Sequence, residues 1–321
     1  MDIVLFIAGI VLVVLGADWL VDGSVSIAKR SGISEYVIGA TIVGIGTSMP
    51  ELAVSFFAAL KGNADIAIGN VAGSNMANTL LILGVTALIS PIAFTKKNLR
   101  SDIPITLGVS ALLALFALDT FFWDRETNII NRPEALALLL LFAVYMWYSF
   151  KMDSKDGNKA DAEEPEKPAK QMSLFKAIAM IILGLGMLVL GGNLFVDSGT
   201  NIAKALGVSD SMIAISMMAV GTSLPELATC IVAAAKKNNQ LALGNILGSN
   251  ISNILLILGL SGTVVPLNIN SQSFLSLMLL PVSIIVLWMT SFMFRKKTLD
   301  RFDGAILILL YAAYIVTIGR M

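Results

Sequence analysis

Ten apolar stretches make up most of the sequence, and each is close to the length at which a helix crosses a membrane. A hydrocarbon core about 30 Å thick needs about 20 helical residues, because each residue advances the helix by about 1.5 Å. The stretches cover residues 3–26, 34–60, 64–90, 103–118, 133–150, 175–203, 211–235, 241–266, 274–293 and 303–318. This pattern predicts an all-α polytopic membrane protein with ten transmembrane helices.

The composition agrees with a membrane protein and excludes several kinds of enzyme. Hydrophobic residues make up 56% of the chain and charged residues 14%, whereas a soluble domain has about 25% charged residues. The chain has one cysteine, Cys230, and no histidine. It therefore lacks an internal disulfide framework, HExxH chemistry and any nucleophile paired with histidine. Met1 leads into the first stretch without a basic segment, so we interpret that stretch as a span and not as a removed signal peptide.

Residues 151–172 differ in composition from both sides of the chain. About half of them are charged, and they include Gly157, Pro165 and Pro168. Such a segment cannot bury enough apolar surface to fold alone, which predicts a solvated linker. The linker separates a first five-helix unit, residues 1–150, from a second, residues 173–321.

The distribution of Lys and Arg predicts the orientation in the membrane. If the N-terminus is outside, the loops after the first, third, fifth, seventh and ninth spans face the cytoplasm. These loops and their borders hold all but five of the 22 basic residues. The other five are Lys61, Arg125, Arg132, Lys204 and Arg320. Because basic residues are enriched in cytoplasmic loops, we expect both termini to be outside.

The two halves are also related in sequence. A shift of about 175 positions aligns residues 46–53 with residues 221–228, and they differ only at Met49 and Leu224. The same shift aligns the rest of a motif at 44–84 with one at 219–259. Since each half has an odd number of predicted spans, the second copy enters the membrane from the opposite face. The sequence thus predicts two inverted five-helix repeats, an arrangement that places a substrate site near the midplane.

Glu51 and Glu226 are the strongest candidates for functional residues. Each is the only charged residue near the middle of its predicted span; the nearest charges are Glu35 and Lys61 for Glu51, and Asp210 and Lys236 for Glu226. A carboxylate at that depth costs several kcal/mol unless it faces protein, water or an ion. No span supplies a basic partner at this depth, which favours a bound cation over a protonated glutamate held by hydrogen bonds.

Oxygen-bearing residues surround both glutamates in the sequence. Thr47 and Ser48 precede Glu51 by four and three residues, so a helix would place all three on one face. Thr222 and Ser223 precede Glu226 in the same way. Pro50 and Pro225 lack the N–H that would bond the carbonyl four residues earlier, so we expect the helix to open at Gly46 and Gly221. Carboxylate, hydroxyl and carbonyl oxygens suit Ca2+ and Na+ and are poor ligands for zinc or copper.

The following span repeats a second set of polar residues. Ser74 and Asn78 lie four residues apart, as do Ser249 and Asn253, and their recurrence at one offset favours a role as ligands over interhelical hydrogen bonding. The glycines of the Gly-x-x-x-Gly pairs at 69–73 and 244–248 are interpreted as packing residues. The same interpretation covers Asn75 and Asn250, whereas Asn70 and Asn245 stay without an assigned role.

The combination of these motifs resembles a known family. Gly-Thr-Ser-x-Pro-Glu followed by Gly-Asn-x-x-Gly-Ser-Asn-x-x-Asn, present in both halves, is similar to the α-repeats of the cation/Ca2+ antiporter superfamily. It looks most like the Na+/Ca2+ exchanger family of prokaryotic type. The motifs cover about forty residues in each half, and the ten-span plan covers the whole chain.

The resemblance implies a secondary antiporter that exchanges Na+ for Ca2+ by alternating access, three for one in the well-known members, without a cofactor. It implies that the first and sixth spans, around Gly16 and Gly184, slide across the other eight. It also adds the main-chain carbonyls at Gly44 and Ala219 to the ligands. The complete candidate set is Glu51, Glu226, Thr47, Ser48, Thr222, Ser223, Ser74, Asn78, Ser249, Asn253, Gly44 and Ala219.

Two departures from the family pattern limit what it implies. Relatives that also carry K+, and some prokaryotic ones, have Asp at the position of Asn253, so K+ coupling is not expected here. The linker is far shorter than the calcium-sensing loop of animal exchangers, which argues against that form of regulation.

Three alternatives stay open at this stage. In an H+/Ca2+ antiporter, protons would titrate Glu51 and Glu226, although those relatives usually carry Gly-Asn-x-x-Glu where this chain has Thr-Ser-x-Pro-Glu. A cation channel would conduct without a counter-ion. An intramembrane hydrolase would use Ser48 or Ser223 as nucleophile, but the chain has no histidine and no lysine at midplane depth. We therefore expect a non-enzymatic transporter of Ca2+ and Na+ in the lipid bilayer of a prokaryotic cell membrane, with no nucleic-acid partner and no obligatory protein partner.

Overall fold

The computed structural model describes residues 1–118, 121, 127–156, 172–206, 221–293 and 297–320. Apart from four short strands, the regular structure in these ranges is helical. The helices are α1 (Asp2–Ser31), α2 (Glu35–Thr47), α3 (Met49–Leu60), α4 (Ala64–Ile89), α5 (Asn98–Phe116), α6 (Arg132–Asp156), α7 (Leu174–Ala205), α8 (Leu224–Ala235), α9 (Asn239–Val264), α10 (Ser271–Met293) and α11 (Arg301–Ile318).

The helices agree with the predicted apolar spans over most of the chain. Among the described residues, eight helices are long and apolar enough to cross a membrane, and α2 with α3 forms a ninth candidate that is bent by 47°. The seventh predicted span begins at residue 211, outside the described residues, and its second part is α8. The prediction of ten spans therefore extends beyond the part of the chain that can be compared.

Three predicted boundaries differ from the structure by five or six residues, the first being the end of α1 at Ser31 and not at residue 26. Helix α5 begins at Asn98 and not at residue 103, because Thr95 and Asn98 exchange hydrogen bonds between side chain and backbone that cap its first turn. Helix α6 continues past residue 150 to Asp156, into the segment predicted as a linker. Asp153 anchors this extension, accepting hydrogen bonds from the Ser34 backbone N–H at 2.7 Å and the Ser34 hydroxyl at 2.6 Å. The rest of the segment, residues 157–171, lies outside the described residues.

Helices α4 and α9 share an unusual feature at corresponding positions. Each contains a wider, π-helical turn, at Ala77–Ile82 in α4 and at Asn253–Leu258 in α9, and further turns of this kind occur at Gly39–Val43 in α2 and Asn98–Asp102 in α5. Such turns occur frequently at functional sites, because they displace side chains from the regular helical register. Asn78 lies within the first turn and Asn253 begins the second.

Two short antiparallel strand pairs join loops from the two halves of the chain. Strand β1 (Ile92–Ala93) pairs with β4 (Thr298–Leu299), and β2 (Ile129–Ile130) pairs with β3 (Leu267–Asn268). Each pair takes one strand from residues 1–150 and one from residues 173–321. The loops of the two halves are therefore tied together by main-chain hydrogen bonds.

Helix α9 lies at the centre and packs directly on α2. In its most apolar window 94% of the residues are buried. A Cβ added at Gly244 would meet the Tyr36 carbonyl oxygen, and one added at Gly248 would meet the Ala40 carbonyl oxygen. The two backbones touch here because neither glycine carries a side chain, in agreement with the packing role predicted for them. The prediction does not hold equally for the other pair, because a Cβ on Gly69 would meet only Ser273 Oγ, at 3.8 Å, and one on Gly73 would meet no described atom within 4 Å.

Helices α1 and α7 form a second close pair at the periphery, with 28% of the residues buried in the most apolar window of each. A Cβ on Gly9 would lie 2.9 Å from the Gly191 carbonyl oxygen, and a Cβ on Gly16 would lie 2.8 Å from that of Gly184. The contacts run in opposite directions along the chain, so the two helices are antiparallel. Their remaining surfaces are largely apolar and exposed, as expected for a face in contact with lipid.

The C-terminal half of α1 is held by an ion pair to the residue that follows α8. The Lys236 ammonium lies 2.7 Å from Asp18 Oδ1 and 2.6 Å from Asp22 Oδ1. Partial burial alone would lower the pKa of Lys236, but the hydrogen bonds to both aspartates raise it. At the equivalent positions of the other half, Lys61 and Asp197 are exposed and form no salt bridge within the described residues.

Candidate ion-binding site

A break in the second predicted span positions the first glutamate. Helix α2 ends at Thr47, Ser48 adopts φ −83° and ψ 8°, and α3 begins at Met49. The break lies two residues after Gly46, where the sequence predicted it. Pro50 falls in the first turn of α3, where its missing N–H costs nothing, and Glu51 follows it. Glu51 therefore lies at a helix N-terminus, where the backbone favours negative charge.

The second glutamate has the same local setting. Ser223 precedes α8, Pro225 lies in its first turn, and Glu226 follows in that turn. Both carboxylates are buried: Glu51 is 0% exposed and Glu226 is 1% exposed. Among the described residues, neither forms a salt bridge.

The carboxylate oxygens are largely free of partners. Within the described part of the chain, both oxygens of Glu51 and Oε2 of Glu226 have no hydrogen-bond partner. Glu226 Oε1 accepts a hydrogen bond from the Ser48 hydroxyl at 3.0 Å. Buried oxygens without partners are costly in a protein interior, so this is the arrangement expected where a cation completes the site.

The hydroxyl groups of the first motif reach across to the opposite half of the chain. Ser48 contacts Glu226, and the Thr47 hydroxyl donates to Asn245 Oδ1 at 3.1 Å. The sequence predicted Thr47 and Ser48 on one helical face with Glu51, but the break at Ser48 removes that face. In the second motif, the Thr222 hydroxyl donates to Asn70 Oδ1 at 3.4 Å, and the buried Ser223 hydroxyl has no described partner.

The carbonyl at Gly44 lies next to the second set of predicted residues. Ser249 Oγ, fully buried on α9, donates to the Gly44 carbonyl oxygen at 3.1 Å. A Cβ on Gly44 would lie 3.0 Å from the Ser249 backbone nitrogen, so this approach is close. Ser74, the counterpart of Ser249, is also buried. Ala219, the counterpart of Gly44, lies outside the described residues.

Four asparagines connect α4 with α9 across the centre of the protein. Asn78 donates to Asn250 Oδ1 at 3.1 Å, and Asn253 donates to Asn75 Oδ1 at 2.9 Å. Asn75 also donates to the Asn250 backbone carbonyl, and Asn250 donates to the Thr79 hydroxyl. The side-chain oxygens of Asn78 and Asn253 have no partner among the described residues.

These contacts give Asn75 and Asn250 a different role from the one that the sequence suggested. Asn75 and Asn250 are more than packing residues, because their side-chain oxygens accept hydrogen bonds from the NH2 groups of Asn253 and Asn78, respectively. This leaves the oxygens of Asn253 and Asn78 available to an ion. The signal was present in the sequence, since both pairs recur at the 175-residue offset, but it did not reveal that the partners come from opposite halves.

The site can bind a hard cation through oxygen alone. Among the described residues, no group of three or more His, Cys, Asp or Glu side chains forms a metal cluster. The described residues instead supply two buried carboxylates, several hydroxyls, the amide oxygens of Asn78 and Asn253 and the main-chain carbonyl of Gly44. Two negative charges with neutral oxygens match the ligand preferences of Ca2+ and Na+.

Comparison with known proteins agrees with this chemistry. Curated relatives include the sodium/calcium exchanger MaX1 of Methanosarcina acetivorans, 34% identical and aligned over 99% of this chain and 98% of the relative. The inner membrane protein YrbG of Escherichia coli is 34% identical, over 82% of this chain and 79% of its own length. The fold is similar to that of the sodium-calcium exchanger NCX_Mj soaked with Na+ and Sr2+, with a TM-score of 0.83, 31% identity and coverage of 98% and 97% of the two chains.

A family model described as sodium/calcium exchanger protein matches residues 1–151 and 176–319, and so covers both halves of the chain. The chain therefore belongs to the sodium/calcium exchanger family of membrane antiporters, whose transported ions are Na+ and Ca2+.

Proposed function

We propose that this protein exchanges Na+ for Ca2+ at a single central site that contains Glu51 and Glu226. The observation that carries the proposal is the pair of buried carboxylates, three of whose four oxygens have no hydrogen-bond partner among the described residues. The proposed neutral ligands are Thr47, Ser48, Ser74, Asn78, Thr222, Ser223, Ser249, Asn253 and the carbonyls of Gly44 and Ala219.

The charge of the site supports exchange over free diffusion. One Ca2+ or several Na+ can neutralise Glu51 and Glu226, whereas an empty site leaves two unpaired carboxylates in a medium of low dielectric constant. That state is unfavourable by several kcal/mol for each ion, so the empty protein resists reorientation. Obligatory exchange follows, since only a loaded site can cross between the two sides.

We infer that residues 1–150 and 173–321 are two inverted five-helix repeats, with both termini outside, joined by a cytoplasmic segment at 151–172 that begins with the end of α6. The wide turns beginning at Ala77 and Asn253, close to one shared offset, support the repeat. The strand pairs agree with it, because each joins one strand from each half. The basic loops then face the cytoplasm of a prokaryotic cell.

Alternating access in this scheme is carried by α1 and α7. Their mutual glycine contacts and largely exposed outer faces support movement of the pair as one unit across the remaining helices. If three Na+ oppose one Ca2+, one net charge crosses in each cycle. That charge is worth about 2.3 kcal/mol per 100 mV, so a negative interior drives Ca2+ out of the cell.

The test is Ca2+ uptake into proteoliposomes under imposed gradients of Na+, K+ or pH, with and without a membrane potential set by a potassium ionophore. We expect uptake to follow the Na+ gradient and to change with the potential. Glu51→Gln and Glu226→Gln should each abolish uptake, because an amide cannot supply the charge that binds Ca2+. Asp65→Asn, an exposed residue at the start of α4, is the matched control and should retain uptake.

Each alternative has its own outcome in this experiment. Uptake that follows pH and ignores Na+ identifies an H+/Ca2+ antiporter, and Ca2+ flux without any counter-ion identifies a channel. Normal transport in either glutamine variant would remove the proposed site.

A further inference from the structure

Two asparagines outside the proposed ligand set connect the threonines of the site to the helices behind it. Asn245 on α9 is fully buried, and its Oδ1 accepts the Thr47 hydroxyl. Asn70 on α4 is partly buried, and its Oδ1 accepts the Thr222 hydroxyl. Each asparagine therefore accepts a hydrogen bond from a threonine hydroxyl in the opposite half of the chain.

The NH2 group of each asparagine is anchored one turn beyond a glutamate. Asn70 Nδ2 donates to Ser55 Oγ at 3.0 Å, and Asn245 Nδ2 donates to Cys230 Sγ at 3.3 Å. Ser55 follows Glu51 by four residues, as Cys230 follows Glu226. The serine hydroxyl and the cysteine thiol then donate in turn to backbone carbonyls on α4 and α9. Both chains of hydrogen bonds run in one direction, away from the ion site.

We propose that Asn245 and Asn70 are positioning residues that set the hydroxyl orientation of Thr47 and Thr222 during ion binding. A hydroxyl has one proton and two lone pairs, so it can face a cation only if its proton points elsewhere. The hydroxyl donates its hydrogen bond to the asparagine oxygen, so its proton points away from the ion. The threonine lone pairs then face the bound ion. This inference rests on the proposed ion site and concerns residues that do not themselves touch the ion.

The NH2 groups of the two asparagines are held by acceptors of different strength. Asn70 Nδ2 is held by two oxygens, those of the Ser55 hydroxyl and the Glu51 backbone carbonyl at 3.3 Å. Asn245 Nδ2 is held by the Cys230 sulfur. Sulfur is a weak acceptor, so the amide of Asn245 is the less firmly oriented of the two. The Thr47 hydroxyl also has a competing acceptor, the Gly44 carbonyl at 3.4 Å.

A double-mutant cycle on the apparent KM for Ca2+ tests the proposal. Asn245→Leu and Thr47→Val should each raise KM about tenfold, the effect of one lost hydrogen-bonded ligand. The double variant should raise it little further, because Asn245 acts through Thr47. The matched control combines Asn245→Leu with Thr222→Val, because Thr222 belongs to the other series of hydrogen bonds, the one through Asn70. In this control the two increases in KM should multiply. Additive effects in the first cycle, or equal coupling in both, would overturn the proposal.

Conservative changes at the anchors give a second test that does not remove the asparagines. Cys230→Ser should lower the apparent KM two- to threefold, because an oxygen holds Asn245 more firmly, and Ser55→Cys should raise it by a similar factor. Changes of the same sign, or changes in melting temperature without a change in KM, would contradict the assignment.

Calcium uptake by the unmodified protein separates the two levels of inference. If the unmodified protein shows no Na+-dependent uptake, the proposed function fails. If that uptake is present but the cycles show no coupling, only the positioning role fails.

Discussion

The centre and the periphery of this protein are built from the same residue types but held together differently. In α4 and α9, 72% and 94% of the residues in the most apolar windows are buried, and asparagines cross-link the two helices. In α1 and α7 the value is 28%, and the two backbones approach each other most closely at glycines. The difference supports the proposal of a fixed ion site beside a pair of helices that shifts, since few directional bonds among the described residues oppose movement of that pair.

A Gly→Ala substitution should reduce stability much more at the centre than at the periphery, and this is the largest difference that we expect. In Gly248→Ala the new Cβ meets the Ala40 backbone, and helices held on all sides cannot yield, so we expect a loss of about 3 kcal/mol or failure to fold. In Gly16→Ala the Cβ lies 2.8 Å from the Gly184 carbonyl oxygen, and α1 can move away. We expect a loss of about 1 kcal/mol and slower transport.

Cys230 provides the measurement for this comparison. It is the only cysteine in the chain and is fully buried, so a thiol-reactive fluorophore reports unfolding as the temperature rises. Equal melting temperatures in the two glycine variants would contradict the difference between the regions.

Removing one cross-link at the centre should have the next largest effect. In Asn250→Leu, the Asn78 NH2 group and the Thr79 hydroxyl lose their partner. A buried polar group without a partner costs about 1–3 kcal/mol, and the oxygen of Asn78 loses its orientation toward the site. We expect a lower melting temperature and a smaller stabilisation by added Ca2+, measured on the same purified protein. Asn239→Leu, at the start of α9 near the surface, is the control and should keep the Ca2+-dependent shift.

The ion pair between Lys236 and the C-terminal half of α1 should contribute less. Lys236→Met removes both contacts to Asp18 and Asp22, but these side chains are partly exposed, and such pairs are worth about 0.3–1 kcal/mol. We expect a two- to fivefold change in the apparent KM for Ca2+, with the melting temperature almost unchanged. Lys61→Met, at the equivalent position without a salt bridge in the described structure, should leave KM unchanged. An equal effect of both variants would show that the ion pair does not hold α1.

The pH dependence of this ion pair should be the smallest effect. Because the pKa of Lys236 is raised in the folded protein, the contribution of the pair is complete below the ordinary lysine pKa of about 10.4 and is lost only as pH rises through the raised value. The ratio of transport rates between unmodified protein and Lys236→Met should stay constant between about pH 6 and about pH 9. A ratio that changes across this range would assign the titration to another group.

Local sequence features predicted the helices well, and their ends less well. Apolar length identified the spans because lipid requires about 20 helical residues, whatever the neighbours are. The early start of α5 depends on the reciprocal hydrogen bonds of Thr95 and Asn98, and the late end of α6 depends on the contact of Asp153 with Ser34. These interactions involve buried and partly buried polar residues, which a search for apolar stretches excludes.

In the candidate site, too, some features could be predicted from the sequence and others depend on tertiary contacts. The duplicated motifs identified Glu51 and Glu226, because isolated carboxylates in apolar spans are visible in the sequence itself. The partners of the hydroxyls were not visible. Helical spacing placed Thr47 with Glu51, whereas the structure places it against Asn245, which is 198 residues away in the chain.

The sequence alone determined the membrane class, the duplication and the two central acids, because hydropathy, spacing and repetition are properties of the chain. Only the tertiary structure decided which oxygens have partners and which are left for an ion. That outcome depends on how closely α2, α4 and α9 approach one another. The approach of α2 to α9 is set by backbone contacts at Gly244 and Gly248 between segments far apart in the sequence.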